Sequence, residues 1–389
     1  MAETLYQIHV RNTDGDRIAV FKGAGEDNML AFSYRKRVRT PGAWWVQIDG
    51  RDSRIDNLAL DDGLNYIWEF WRRDPQGGLD WYKDFSGLHR HDYFTFGGEG
   101  TELYVARGRG LNDLVGAEPI RYDKGSAEAY KTGASETVAK EYVDENIGPG
   151  AAAARQLAHF TVEADAGTGN AWIGDRANEQ LFDVLIELAD FAPGDFNIVD
   201  LSATTLATVS DTPQFQFQWR DNQWGLDCTE GNTDGNKPVI FGRTRQNITN
   251  IQYTYSRLDE VNVVYALGAG VGAGRLDRTR TASDAGIDTA WETTSWGRRA
   301  SVRTSNDQGN TNLDDLADET LYKQRIKKTF RFSTLNVPSL RYGRDWDCGY
   351  LATVEHRGES VSQKIIGVTV SVGSDGVVSI VPEAESYYA

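Results

Sequence analysis

Residues 340–389, LRYGRDWDCGYLATVEHRGESVSQKIIGVTVSVGSDGVVSIVPEAESYYA, carry the pattern that decides the fold class. Within them, residues 365–372 and 377–381 read as two strands joined by Gly373-Ser374-Asp375-Gly376. Ile366, Val368, Val370 and Val372 fall on one face, with Thr369 and Ser371 on the other. That period of two belongs to a half-buried antiparallel strand. Asp375-Gly376 supplies the positive φ that a tight reversal needs. The stretch holds no nucleophile motif, metal cluster or phosphate loop. It reads as a β module.

Composition sets the bounds. A chain of 389 residues has room for two to four domains, and 40% hydrophobic with 25% charged residues places it among globular chains. Forty glycines against nine prolines, with 11% aromatics, favour many short strands over helical bundles. Forty-one basic against 57 acidic side chains give a net charge of −16. Wrapping a duplex through a basic surface is therefore not expected, because phosphates need clustered Lys and Arg. The N-terminus lacks the basic and apolar regions of a signal peptide, and no run approaches the ~18 apolar residues of a membrane helix. Two cysteines, Cys228 and Cys348, exclude a disulfide framework and an all-Cys zinc site. One bridge between them stays open beside the simpler reading of two free thiols in a reducing compartment.

In chain order, Tyr6, Ile8 and Val10 alternate with polar residues, Asn12-Thr13-Asp14-Gly15 turns, and residues 17–21 return. Further strands are expected at 30–34, 44–48, 66–73, 81–86 and 103–106. The pattern then changes. Residues 134–146 and 176–191 read as helices, the second with Asp175 as cap, Leu181, Val184, Leu185 and Leu188 as an apolar stripe, and Pro193-Gly194 as a stop. Residues 160–164 lie between them as a strand. Strands resume at 215–219, 239–241, 248–255 and 261–267, and a helix is expected at 312–328 before a strand at 329–332. The fold class is mainly β with an inserted α/β unit (α+β). The expected division is a tube-like β-domain at 1–125, a small α/β domain at 126–212, a second tube-like β-domain at 213–339 and a C-terminal closing hairpin at 340–389.

Four stretches carry a resemblance: YQIHVRNTDGDRIAVF (6–21), AYKTGASETVAKEYVDEN (129–146), AAAARQLAHFTVEADAGTG (151–169) and GNKPVIFGRTRQNITNIQYTYSRLDEVNVVYALGAGVGAGR (235–275). In this order they resemble the tail-tip (baseplate) hub, or minor tail, proteins of siphophages, over Tyr6 to Pro382. The resemblance implies a structural role in the virion, made in the host cytoplasm. Two tube-like β-domains per subunit would form a pseudo-sixfold ring in a homotrimer that continues the tail tube. Implied partners are the distal tail ring, the tape-measure protein and a tail fibre or receptor-binding protein, with DNA only in passage. The resemblance names no catalytic residue, cofactor or metal. Relatives often extend into a lysin, whereas this sequence stops at Ala389, so no enzyme is expected.

Rival chemistry is thin. Gly268, Gly270, Gly272 and Gly274 follow a strand but miss the GxGxxG spacing, as does Gly108-Arg109-Gly110. Of His9, His89, His91, His159 and His356, the pair His89/His91 with Asp92 would share a strand face and present a metal pair, or simply a polar strand end. Residues 227–236, DCTEGNTDGN, look oxygen-rich like a calcium loop but lack the EF-hand spacing and read as a turn. Trp44, Trp45, Trp68, Phe70, Trp71, Trp81 and Tyr82, beside Glu69, Asp80 and Asp84, fit a sugar platform with a carboxylate pair. The simpler reading is core on one side, through Trp68 and Phe70, and a subunit interface on the other, through Trp71 and Ile67. Two functional alternatives remain: a glycan-binding or glycan-acting tail component, and a hexameric distal tail protein.

Overall fold

The structure is a computed structural model, and it describes residues 5–23, 28–58, 66–97, 100–121, 129–191, 194–287, 296–304, 310–335 and 337–387. The first seven strands are β1 (Tyr6–Arg11), β2 (Arg17–Lys22), β3 (Met29–Arg37), β4 (Ala43–Asp49), β5 (Ile67–Asp74), β6 (Leu79–Phe96) and β7 (Glu102–Gly110). Then come β8 (Ala129–Ala134), α1 (Ser135–Asn146), β9 (Phe160–Val162), β10 (Ala171–Arg176), α2 (Leu181–Phe191), β11 (Gly194–Asp200) and β12 (Phe215–Asp221). The last group is β13 (Asp227–Cys228), β14 (Ile240–Gly242), β15 (Ile248–Ser256), β16 (Val263–Leu267), β17 (Asp277–Thr281), β18 (Ala300–Thr304), α3 (Asn310–Lys323), β19 (Lys327–Thr334), β20 (Leu351–His356), β21 (Glu359–Val372) and β22 (Val378–Ser386). The chain is mainly β. No helix of the described residues is long and apolar enough to cross a membrane.

The C-terminal hairpin does more than close the second half. β21 pairs antiparallel with β3, from Gly367↔Arg37 to Val372↔Phe32, and β22 pairs with β19. One sheet therefore runs β15-β19-β22-β21-β3-β4-β7-β6-β5-β1-β2, with the hairpin strands third and fourth in the order and joining late strands to early ones. Gly376 takes φ +74 at the reversal, and Asp375 Oδ1 accepts the Val377 amide at 3.0 Å. Val368, Val370 and Val372 are buried as the alternation requires, each adding about 1.5–3 kcal/mol. Ile366 is not on that face: a bulge between Ile365 and Gly367 advances the phase, so Ile365 enters the core instead.

Early and late strands share one apolar core, in which Phe32, Trp44, Trp68 and Phe70 lie with Phe241, Phe332, Tyr342 and Trp346. A second core packs α1 and α2 on β11 and β12 through Val138, Tyr142, Leu185, Leu188, Phe196 and Phe217. Ile67 and Leu88 of the first strands belong to this second core. The face carrying Ile67 is thus covered by the chain itself and is not the expected subunit interface. A third, small core joins β16–β18 to α3 through Val264, Ala266, Leu313, Ala317 and Leu321. The sequence reading placed a strand at 261–267 in the second β-domain and read no strand at 277–281 or 300–304; β16, β17 and β18 form their own three-stranded sheet.

Helix bounds shift where strand pairing claims the backbone. α2 begins at Leu181, because Asp175 and Arg176 lie in β10, paired with Tyr130 and Ala129, and so Asp175 is no cap. Its stripe of Leu181, Val184, Leu185 and Leu188 is buried as read. α3 ends at Lys323, since Lys327 and Lys328 pair with Ser256 and Tyr255. β6 is 18 residues long, far beyond 81–86, and carries bulges. The expected boundary at 125/126 and the stop at Pro193 lie outside the described residues.

Candidate functional site

The segment before β20 reaches back into the first strands through charge. Lys36, on the core side of β3, donates to Asp84 of β6 at 2.9 Å and to Asp347 at 2.7 Å. Tyr34 and Tyr342 donate their hydroxyls to Asp84 at 2.5 and 3.0 Å. Arg72 donates to the Tyr82 hydroxyl and to the Tyr342 carbonyl at 2.8 and 2.9 Å, and Arg341 to Asp74 at 2.8 Å. Burial opposes the Lys36 charge, but Asp347 and Asp84 outweigh it and hold the ammonium well above its ordinary pKa. Burial likewise opposes the Asp84 charge, and Lys36 and Arg72 keep its carboxyl below the usual value. Burial pushes the Tyr34 and Tyr342 hydroxyls far up, so both stay donors. Every carboxylate here has its partners. The arrangement locks the C-terminal segment to the first strands.

A second network faces the other way. Glu69, 1% exposed, takes Arg11 at 3.1 Å, the Trp71 indole at 3.1 Å and the Thr204 hydroxyl at 3.1 Å, with Lys83 at 3.6 Å. Lys83 also binds Asp200 at 2.7 Å, and Arg11 reaches the Thr208 carbonyl, so residues 200–209 are strapped over β1 and β5. Burial, with Arg17 and Arg11, lowers His9 to about 3, which keeps it neutral. Glu69 and Asp84 sit in separate networks, and Asp80 is exposed, capping the Trp81 amide. No carboxylate pair for glycoside hydrolysis is brought together by these three.

The aromatic cluster is core. Trp44, Trp68 and Trp71 are 2%, 0% and 4% exposed, so no ring face is free to stack on a sugar. Trp81 is half-buried under the Arg73 guanidinium at 4.9 Å, and Trp45 alone of the named tryptophans is exposed. Gly108 explains itself here: a Cβ would stand 1.9 Å from the Leu88 carbonyl oxygen and 2.5 Å from the Trp44 indole. Gly108 makes room for a tryptophan, and Gly110 lies close to the Gly42 backbone and the Phe85 ring.

His89 and His91 do not share a face. A bulge between them leaves His89 buried against Trp68 and Trp44, while His91 is exposed beside Tyr93. Burial lowers the His89 pKa, and the Asp92 carboxylate stands 3.8 Å away. Residues 227–236 form a self-bonded turn: Asp227 accepts from the Thr229 amide and hydroxyl, and Asn232 and Asn236 bridge the turn. Gly268 to Gly274 connect antiparallel β16 and β17 with no helix after them. Cys228 and Cys348 are both free and buried.

Sequence reasoning missed the Lys36–Asp84–Asp347 junction. Its one signal was a lysine at core parity on β3, two residues after Tyr34.

The comparisons with known proteins bear on this frame. The family model described as Siphovirus ReqiPepy6 Gp37-like protein matches residues 120–383, more than half the chain. The chain belongs to this Gp37-like family. Among curated proteins, none matches it in sequence. In fold, it is similar to the 43 kDa tail protein of prophage MuSo2 from Shewanella oneidensis, at TM-score 0.57 and 12% identity, over 97% of this chain and 98% of that one. It is also similar to the tail protein from Neisseria meningitidis MC58, at TM-score 0.53 and 10% identity, over 98% and 96%. A Francisella PdpA–VgrG complex contains a chain matching at TM-score 0.56 and 9% identity, over 100% of this chain and 53% of that one. The Gp37-like chain has the fold of phage tail proteins.

Proposed function

We propose that this chain is a non-enzymatic structural subunit of a phage tail tip, the hub ring that continues the tail tube. Three copies would close the ring. The strands on either side of the C-terminal hairpin would act as the two tube-like halves that adapt threefold to sixfold symmetry. The ring would bound the channel for tape measure and DNA, sit below the distal tail ring and hold a fibre or receptor-binding protein. It would reside in the virion after synthesis in the host cytoplasm.

The observation that carries this reading is end-to-end fold similarity to a tail protein, with 97% and 98% of the two chains aligned. The buried locks at Asp84 and Glu69 support it, since they join distant segments and hold Glu69 and Asp84 in separate networks. A net charge of −16 suits a wall along which DNA slides without sticking. Native mass measurement of the purified chain tests the reading. Three copies support the hub; six contradict it and favour the distal-tail alternative.

A further inference from the structure

A second charged feature lies where the main sheet, α2 and α3 meet, and the locks above do not use it. A cleft of 390 Å³ opens between the end of β3, the hairpin strands, α2 and the link from α3 to β19. Among the described residues, six cationic side chains line it against three carboxylates, those of Asp190, Asp195 and Glu385. In a chain of net charge −16 this local surplus runs against the rest of the molecule.

The surplus is short of negative charge on two counts. Asp195, fully buried, serves Arg39 at 2.8 Å and Lys364 at 2.6 Å, and Asp190 serves the same Arg39 at 2.8 Å and Lys323 at 3.8 Å, two carboxylates for three cations. Burial lowers the Lys364 pKa by more than Asp195 restores. Arg37 finds its nearest carboxylate, Glu383, only at 3.8 Å, and that group already binds Arg35 and Arg331. The Arg37 Nε is buried with no acceptor among the described residues. Burial and Arg35 both work against its charge. Desolvated cations in such a state gain from an incoming anion. The walls are not only charged, because Ile186 and Ile366 also line the cleft. A nucleic-acid backbone would meet the acidic remainder of the surface, whereas a short acidic peptide meets the cleft alone.

We propose that this cleft docks an acidic, partly apolar segment of a partner protein. Its carboxylates would pair with Arg37, Lys364 and Lys323, and its apolar side chain would lie against Ile186 and Ile366. The inference goes beyond the hub reading and does not depend on how many copies form the ring.

The test is titration calorimetry of the full chain with a synthetic peptide of alternating Glu and Leu. A Gln-for-Glu peptide and inorganic phosphate at equal ionic strength are the comparisons. Saturable binding of the acidic peptide is expected, with none for the Gln peptide. The charge reversals Lys323→Glu and Lys327→Glu, both at exposed positions, should each weaken it about tenfold, the scale of one charge-assisted contact. Arg37→Gln is the second variant, with the same weakening expected and circular dichroism reporting folding. Lack of saturation, equal binding by the reversed variants, or binding of phosphate without the peptide would each overturn the proposal.

Discussion

Lys36→Met removes the one cation shared by Asp84 and Asp347, and the surroundings of the two carboxylates set its cost. Asp84 is fully buried and would keep two tyrosine hydroxyls and the Arg72 charge, while Asp347, with its side chain 31% exposed, would lose its contact at 2.7 Å. Taking its partner cation from a buried carboxylate such as Asp84 costs about 3–5 kcal/mol at neutral pH. In the wild type the folded pKa of Lys36 is raised, so its stabilisation is complete below its ordinary value of 10.5 and is lost only as pH rises through the higher folded value. In the variant the orphaned carboxyls are the groups with raised folded pKa. Their penalty grows as pH rises through those values and fades as pH falls, so the variant recovers towards wild type at about pH 4–5. Adding Asp84→Asn and Asp347→Asn restores part of the loss at pH 7, because the two carboxylates no longer stand without Lys36, while Arg72 gives up the Asp84 charge. Urea unfolding of the three proteins at pH 7 and pH 5 measures this. A loss under about 1 kcal/mol at pH 7, or one equal at both pH values, would refute the reasoning.

Three further outcomes rest on particular residues. Burial and then Glu187 push Glu319 up to about 7, so its contribution is fully present below 4.5 and is lost as pH rises through 7. Glu319→Gln should therefore exceed the wild type by about 3 kcal/mol at pH 8 and match it near pH 4.5, and a pH-independent difference in denaturation would sink this. Gly108→Ala should cost about 2–3 kcal/mol, since its Cβ would overlap the Leu88 carbonyl and the Trp44 ring, and an unchanged thermal midpoint would contradict that packing. Trp44→Ala should cost about 3–5 kcal/mol by calorimetry without changing any glycan-array signal, whereas glycan binding abolished in a folded variant would revive the sugar-platform reading.

Much of the fold was legible because half-buried strands write their period directly. Tyr6, Ile8 and Val10, and later Val368, Val370 and Val372, are core where alternation put them. Phase was less legible than period: the bulges at Ile365 and between His89 and His91 add single residues that leave no mark in composition. Partners were less legible still. Val263 and Tyr265 alternate in the same way whether β16 joins the main sheet or makes its own, and it makes its own. Helix ends gave way where β10 and β19 offered ladder bonds to residues of good helical pattern. The junction at Asp84 joins residues 48 and 258 positions away, and Lys36 reaches Asp347 across 311. No local spacing announces such a contact. Burial of Trp44 was hidden for the same reason, since its ring packs against Gly87 and Gly108, far along the chain.

The measurement that meets the central claim most directly is an image of the intact tail tip by cryo-electron microscopy. The account predicts three copies of this chain in a closed ring directly below the distal tail ring, with the channel running through it. Six copies, or a position on the outside of the tube, would contradict it.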